Sequence, residues 1–334
     1  MTPDEAAIEG FLAECGWAVA EQSVLAGDAS SRRYRRLTAG DGRRRILMIA
    51  PADSPIGDFL TIAGMLRAGG FSAPEVEAAD PTAGLALIED LGDDLLARAV
   101  DGGAPADALY GAACDIAAAF DRVPGADTLP AFDPAHLVAL VDPFVSDYLP
   151  ATGFRGDPEA TLAGYRDLWR DLAPLADTLP RRFLHRDFHA ENLLWLPDRA
   201  GLRRVGLLDF QDARFGPPAY DLVSLLRDAR RDVDPTMAER LLKIYATATG
   251  LNRSALETSF ALLVVHRQAR ILGIFARLAR LSGKTRYLVH IPRLWRHIEA
   301  ALGHPALQPL ATWYDAHVPA PRRGVLTEDA FVGE

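Results

Sequence analysis

The chain of 334 residues contains little cysteine and little lysine. Its two cysteines, Cys15 and Cys114, are too few for a disulfide framework, and their apolar, helix-like surroundings predict reduced core residues. Only two of the 36 basic residues are lysines, Lys243 and Lys284. Any function that needs a lysine before residue 243 is therefore excluded or carried by arginine.

An excess of positive charge and long apolar runs are also missing. The net charge of −9 and the pI of about 5.4 argue against a nucleic-acid-binding protein, which needs a basic surface. No apolar run approaches the roughly 18 residues of a membrane span, and residues 1–5 lack the basic and apolar regions of a signal peptide. We expect a cytoplasmic monomer with neither nucleic acid nor membrane as a partner.

The hydrophobic pattern changes along the chain. Up to residue 93 it predicts two short helices and several strands, bounded by glycine-containing turns, with strands at 23–26, 32–37, 45–50, 74–76 and 84–89. Beyond residue 93 it predicts helices at 106–120, 134–148, 159–179, 218–230, 235–249, 254–281 and 292–302, interrupted by strands between 182 and 209, and a loose tail from 319. We predict an α+β fold with a β-rich N-terminal lobe (1–93) and a larger, mainly helical C-terminal lobe (94–334).

The strongest motif is His-Arg-Asp at 185–187, followed by four residues and Asn192, and then by a second apolar run that ends in Asp209. This order and spacing are those of a kinase catalytic loop. Asp187 suits the role of the carboxylate that orients and deprotonates an attacking hydroxyl, while Asn192 and Asp209 supply oxygen ligands for Mg²⁺. Isolated His-x-Asp sequences are common in loops, but this combination predicts a kinase that uses ATP and Mg²⁺.

Residues 216–223 (Gly-Pro-Pro-Ala-Tyr-Asp-Leu-Val), together with the catalytic loop, resemble the aminoglycoside phosphotransferase and choline kinase superfamily. The resemblance implies a bilobal protein-kinase-like fold, in which Asp221 braces the catalytic loop. Protein kinases fit poorly, because Gln211 replaces the glycine of Asp-Phe-Gly and the stretch before Pro217 is too short for an activation loop. We therefore expect a small-molecule acceptor.

Further segments, spread over roughly residues 20–300, resemble bacterial anomeric N-acetylmuramate/N-acetylglucosamine kinases; they are 27–36, 89–93, 209–214, 220–228 and 273–278. This likeness implies ATP-dependent phosphorylation of the C1 hydroxyl of N-acetylmuramate, N-acetylglucosamine or both, in peptidoglycan recycling. Three alternatives stay open. They are a kinase for another hydroxylated metabolite or an aminoglycoside, a nucleotide-binding pseudokinase, and a scaffold protein.

The same resemblance implies a nucleotide site in the N-terminal lobe. The turn at 27–31 would cover the ATP phosphates with Gly27, Ser30 and Ser31, and the backbone of a hinge at 88–91 would meet adenine, with Glu89 and Leu91 as its site residues. Kinases place a lysine on the third strand, but Met48 stands there and the helix at 58–68 has no glutamate. We expect Arg32 or Arg33 to take over the phosphate charge.

Residues 251–300 hold nine basic residues and only two acidic ones. A solvated helix face usually interleaves both signs, so part of this segment is expected to face an anion. That anion is a substrate carboxylate, such as the lactyl group of N-acetylmuramate, a phosphate, or an acidic patch of the other lobe. The candidates for substrate binding, from this segment and from elsewhere in the C-terminal lobe, are Asp147, Tyr148, His189, Arg214, Arg267 and Arg277.

Overall fold

The structure is a computed structural model that describes residues 3–25, 31–51, 56–324 and 326. The chain folds into two compact units, one of Met1–Gly125 with Ala190–Ala213, and one of Ala126–His189 with Arg214–Glu334. One unit holds a five-stranded antiparallel sheet and the other is mainly helical, so the α+β class is confirmed. The lobe boundary after residue 93 stays a prediction, and the compact units divide the chain at other points.

The first unit is organised around the sheet, whose strand order is β1-β2-β3-β5-β4. Its strands are Glu21–Leu25 (β1), Arg33–Thr38 (β2), Arg44–Ile49 (β3), Val76–Asp80 (β4) and Leu85–Glu89 (β5). Its helices are Glu5–Glu14 (α1), Gly57–Ala68 (α2), Leu96–Asp101 (α3) and Ala106–Ala118 (α4). The predicted strands and helices of this region are confirmed, with ends displaced by a few residues.

Alternation of side chains along the strands gives this sheet two different faces. On one face Leu37, Leu47 and Leu87 pack against Phe11 and Leu12 of α1, and all five are buried. Each such side chain contributes about 1.5–3 kcal/mol when it is fully buried. The opposite face of the sheet carries side chains that belong to the candidate active site.

The second unit contains two short strands, Arg182–Leu184 (β6) and Arg214–Gly216 (β9), which pair with each other; β7 (Leu193–Trp195) and β8 (Val205–Leu207) form a separate hairpin in the first unit. The helices of the second unit are Pro134–Ala139 (α5), Leu149–Ala151 (α6), Pro158–Leu172 (α7), Ala219–Leu226 (α8), Pro235–Thr249 (α9), Arg253–Ser282 (α10), Ile291–Leu302 (α11) and Gln308–His317 (α12).

Three helices of the second unit begin with the same dipeptide, aspartate followed by proline. Asp133, Asp157 and Asp234 each accept a hydrogen bond from a backbone amide in the first turn, and the proline that follows occupies the first helical position. The proline ring presets the helical φ and lacks a donor that would be unpaired there anyway. The start of α9 at residue 235 and its end at Thr249 were both predicted.

Three predicted helices are wrong in their extent, and two of them are interrupted. The one at 134–148 ends at Ala139 and resumes as a π-helical turn at Phe144–Tyr148, and the one at 159–179 ends at Leu172 before a 3₁₀ turn at Ala173–Asp177. Pro143 and Pro174 lie at the two breaks, where proline lacks the amide hydrogen that would continue the helical hydrogen bonds. The helix predicted at 218–230 ends earlier, at Leu226, and α3, α6 and α12 were not predicted.

The long helix α10 forms the centre of the second unit. A Cβ on its Gly273 would come within 2.2 Å of the backbone of Pro143, so only glycine permits this close approach. The helix is long and apolar enough to cross a membrane, but 83% of its most apolar window is buried inside the protein. Such burial is typical of a core helix.

Candidate active site

The loop that carries the kinase-like motif connects β6 to β7, and the chain passes from the second compact unit to the first between His189 and Ala190. Asp187 therefore belongs to the second unit, whereas Asn192 and Asp209 belong to the first. The two halves of the motif are therefore positioned by the contacts of different units.

In the second unit, α8 braces the backbone of the loop. The Asp221 carboxylate accepts hydrogen bonds from the amides of His185 at 2.7 Å and Arg186 at 2.9 Å. The Ser224 hydroxyl donates to the carbonyl of Arg186 at 3.1 Å. Arg186 has a φ of 75°, an uncommon conformation for a non-glycine residue, and these bonds hold it there. The predicted bracing role of Asp221 is confirmed.

Packing fixes the loop from inside as well. His185 is completely buried and its ring contacts the buried ring of Phe188 edge-on, with centroids 5.5 Å apart. His185 thus serves the packing of the loop. Its neighbour Asp187 is half-buried and belongs to the same loop.

Electrostatics keep the Asp187 carboxylate ionised. Burial alone would raise its pKa, but the positive charges of Arg267 and Arg186 and the rings of His189 and His185 lower the pKa below its usual value. Burial and the nearby Arg267 lower the pKa of His189 to about 3, so that ring is neutral near pH 7. Burial raises the pKa of Asp221 to about 7, against the two amide hydrogen bonds, which lower it.

In the first unit, Asp209 follows β8 in a strained turn with a φ of 60°. Its exposed carboxylate accepts hydrogen bonds from Gln211 Nε2 at 2.8 Å and from Asn192 Nδ2 at 3.4 Å. Phe210 is buried and stacks on Phe59 of α2, with ring centroids 5.1 Å apart, which anchors the turn. The carboxylate and the amide of the motif are thus neighbours in this unit.

These two side chains suit a magnesium ion better than a transition metal. Within the described ranges, no group of three or more His, Cys, Asp or Glu side chains could hold a metal. Mg²⁺ is usually held by one or two protein oxygens, with water and phosphate completing its shell, so Asp209 and the amide oxygen of Asn192 fit it. Rotation of the Asn192 amide would present that oxygen.

An apolar side chain occupies the position on the third strand where kinases place a lysine. Met48 is completely buried in β3, and the strand register places it directly opposite Tyr34 of β2. Tyr34 lies near Asp209 and Arg32. Burial and, to a smaller extent, the negative charge of Asp209 raise the pKa of Tyr34, whereas a hydrogen bond to Arg32 lowers this pKa. Sequence reasoning missed Tyr34; pairing strands β2 and β3 in register would have found it.

The register also separates the two arginines that were candidates for the missing charge. Arg32 is two residues before Tyr34, on the same side of the strand, and is 7% exposed. Arg33 is exposed and lies on the opposite side, as does Arg35, which forms an ion pair with Glu5 of α1 at 2.5 Å. Of these two arginines, Arg32 is therefore the one on the Tyr34–Met48 face. The remaining predicted phosphate-turn residues divide: Ser31 is exposed, and Gly27 and Ser30 lie outside the described residues.

At the predicted hinge, polar groups are already engaged. The amide of Glu89 donates to the Glu75 carbonyl at 2.8 Å, and the Glu89 carboxylate pairs with Arg199 at 2.5 Å. Glu89 is therefore committed to the sheet and to an ion pair. Leu91 follows it, is half-buried and remains the hinge candidate.

Several predicted substrate ligands turn out to contact one another or the core. Asp147, only 6% exposed, pairs with Arg277 at 2.7 Å and with Arg280 at 2.9 Å. Tyr148 is completely buried and its hydroxyl accepts from Trp295 Nε1 at 2.6 Å, a placement that argues against contact with a sugar. Arg214 begins β9, opposite Leu184, and is half-buried.

Part of the surplus of positive charge in residues 251–300 is neutralised by two acids from outside the segment, Asp147 and Asp232, which corrects the inference that its acids are missing. Arg293 and Arg296 both pair with Asp232, at 2.7 and 3.0 Å, just as Asp147 neutralises two arginines of α10. The acids come from distant parts of the chain, so counting charges within one segment could not find them. Arg267 differs from these: it is 7% exposed and its Nη1 has no hydrogen-bond partner.

The family model described as "Phosphotransferase enzyme family" matches residues 21–257. A Caulobacter vibrioides protein named N-acetylmuramate/N-acetylglucosamine kinase is 38% identical, covering 96% of this chain and 98% of its own. A Pseudomonas aeruginosa protein of the same name is 34% identical, covering 88% of each.

Solved structures agree at the level of the fold. A Plasmodium vivax ethanolamine kinase superposes with a TM-score of 0.61 at 10% identity, covering 91% of this chain and 90% of its own. An ADP-bound aminoglycoside phosphotransferase superposes with a TM-score of 0.59 at 12% identity, covering 91% and 98%. Since the family model covers most of the chain and the two bacterial relatives align along nearly all of it, the chain belongs to the phosphotransferase enzyme family.

Proposed function

We propose that this phosphotransferase transfers the γ-phosphoryl group of ATP to the anomeric C1 hydroxyl of N-acetylmuramate, N-acetylglucosamine or both. The observation that carries the proposal is the 38% identity to a kinase named for these two sugars, along 96% of the chain. The braced loop around Asp187 supports it independently, because this loop supplies the carboxylate that such a transfer requires.

Asp187 acts on the acceptor. Its lowered pKa keeps it ionised, so it accepts a hydrogen bond from the C1 hydroxyl and orients the oxygen towards the γ-phosphorus. The new bond joins this oxygen to phosphorus, the bond between phosphorus and the β–γ bridging oxygen breaks, and ADP leaves. The hydroxyl proton passes to Asp187.

Asn192 and Asp209 are the proposed ligands of Mg²⁺, which would neutralise charge on the nucleotide phosphates. Support comes from the Asp209 carboxylate, which is exposed and held by Gln211 and Asn192. The strained backbone at Asp209 is typical of functional positions.

Arg32 is the proposed replacement for the third-strand lysine. It is buried on the same sheet face as Met48 and is hydrogen-bonded to Tyr34, close to Asp209. A guanidinium can bind phosphate oxygens with two parallel hydrogen bonds, so a cation from the residue before β2 can substitute for one from β3. Leu91 is the proposed hinge contact to adenine.

The acceptor side keeps His189, Arg214 and Arg267 as proposed substrate contacts. Asp147 and Arg277 are less suitable, because each already neutralises the other. A role in peptidoglycan recycling, in the cytoplasm, is part of the same proposal and follows from the sugars that name the relatives.

The proposal is tested by incubating the protein with ATP and Mg²⁺ and one acceptor at a time. We expect ADP release with N-acetylmuramate or N-acetylglucosamine, loss of the sugar's reducing end, and no reaction with choline or a cationic aminoglycoside. Transfer to choline or the aminoglycoside alone would assign another kinase function. Tight binding of ATP and Mg²⁺ without transfer to any acceptor would assign a pseudokinase.

A further inference from the structure

Arg267 is a buried arginine whose Nη1 has no hydrogen-bond partner. It lies in α10, where other arginines are neutralised: Arg253 by Glu257 at 2.7 Å, and Arg277 and Arg280 by Asp147. Arginine in a protein interior normally has its donors satisfied, because the charge is expensive to remove from water. The exception therefore needs a physical explanation.

The surroundings of Arg267 are those of the catalytic loop. Its charge acts on Asp187, His189 and Asp221. The next residue, Gln268, donates to the carbonyl of Arg227 at the end of α8, which fixes this part of α10 against the helix that carries Asp221. Arg267 thus lies in the same unit as Asp187 and close to it.

Asp221 does not form an ion pair with Arg267 in place of its loop contacts. Both oxygens of Asp221 are engaged by the amides of His185 and Arg186. His189 is buried, and its lowered pKa of about 3 leaves the ring neutral. Arg267 is therefore a buried permanent cation that α10 supplies to the neighbourhood of Asp187, with its Nη1 still available as a donor.

We propose that Arg267 Nη1 donates a hydrogen bond to an oxyanion held beside the Asp187-bound hydroxyl. The inference rests on the proposed function. Two sources have this chemistry: the lactyl carboxylate, which N-acetylmuramate carries and N-acetylglucosamine lacks, and the phosphoryl group during its transfer. Guanidinium groups suit either one, since they form charge-assisted hydrogen bonds to carboxylate and phosphate.

The experiment compares Arg267→Gln and Arg267→Lys with the wild type, using Arg253→Gln as the matched control from the exposed start of α10. Steady-state kinetics are measured with both sugars. If the oxyanion is the carboxylate, Arg267→Gln raises KM for N-acetylmuramate about 10- to 100-fold more than it raises KM for N-acetylglucosamine. If it is the phosphoryl group, kcat falls by a similar factor on both sugars and Arg267→Lys restores part of it.

Two results would overturn the inference. One is kinetics within about twofold of wild type on both sugars; the other is an equal loss on both that lysine does not restore and that accompanies a lower Tm. A readout without turnover separates this inference from the proposed function. At ionic strength matched with chloride, sulfate should raise the Tm of the wild type and Arg253→Gln more than that of Arg267→Gln. Equal shifts in all three would refute the oxyanion site, whether or not the sugars are phosphorylated.

Discussion

Removing the Asp221 carboxylate should loosen the catalytic loop while leaving the rest of the fold in place. The carboxylate accepts two hydrogen bonds, from the amides of His185 and Arg186. Asparagine keeps one acceptor oxygen, so at least one buried amide loses its partner at a cost of about 1–3 kcal/mol. Alanine removes both acceptors and should cost about twice as much.

A local measurement suits this prediction, because a chain with two compact units need not unfold in a single transition. Amide hydrogen exchange at His185 and Arg186 should accelerate about 10- to 100-fold in Asp221→Asn, which matches the lost hydrogen bond. Burial raises the pKa of Asp221 to about 7, so removing its charge recovers part of the burial penalty, and the global stability should change less than the local exchange.

The catalytic rate should also fall when the loop is loosened. Arg186 has a φ of 75°, and once its amide is released the backbone can relax and displace the adjacent Asp187. A displacement of about 1 Å of a catalytic group costs on the order of 100-fold in rate, with ATP binding kept. Ser224→Ala, which removes one neutral hydrogen bond to the Arg186 carbonyl, is the control and should have a much smaller effect. Exchange and kcat within threefold of wild type in Asp221→Asn would refute the bracing argument.

Three further predictions follow from the geometry. Arg32→Gln should raise KM for ATP about tenfold and Arg33→Gln should leave it unchanged, because of these two arginines Arg32 lies on the Met48 face of the sheet and Arg33 on the opposite one; equal effects would contradict that assignment. His189→Gln should leave the shape of the pH–kcat/KM profile unchanged between about pH 5 and 8, since burial lowers the His189 pKa to about 3 and its ring gains no proton there; a lost acid limb near pH 6.5 would contradict this. Gly273→Ala should lower the Tm because its Cβ would meet the Pro143 backbone at 2.2 Å, whereas Gly164→Ala, with open space in α7, should be neutral or raise the Tm by a few degrees.

The sequence predicted those parts of the site that depend on short spacings. His-Arg-Asp with Asn192, the apolar run before Asp209, and the bracing Asp221 lie within one stretch of chain, and strand and helix periodicities around them are local signals. Helix ends were predictable where a local cap exists, as at Asp234 of α9. They were predicted wrongly where a proline interrupts an otherwise helical pattern, as at Pro143.

Ion pairs and strand registers that join distant parts of the chain could not be predicted from local sequence patterns. The neutralisation of Arg277 by Asp147 joins residues 130 positions apart, and that of Arg293 by Asp232 joins residues 61 apart. The choice between Arg32 and Arg33 depended on which face of β2 each occupies, which in turn depended on the register with β3. A one-residue slip in that register would have exchanged the two arginines.

The measurement that tests the proposed function most directly follows the labelled acceptor carbon. N-acetylmuramate carrying ¹³C at C1 is incubated with ATP, Mg²⁺ and the protein, and the C1 resonance is recorded. Phosphorylation of the anomeric oxygen predicts a C1 signal split by coupling to phosphorus, formed together with ADP and absent in Asp187→Ala, which should still bind ATP. An unsplit C1 signal while ADP accumulates, or a split signal formed at near-normal rate by Asp187→Ala, would contradict the account.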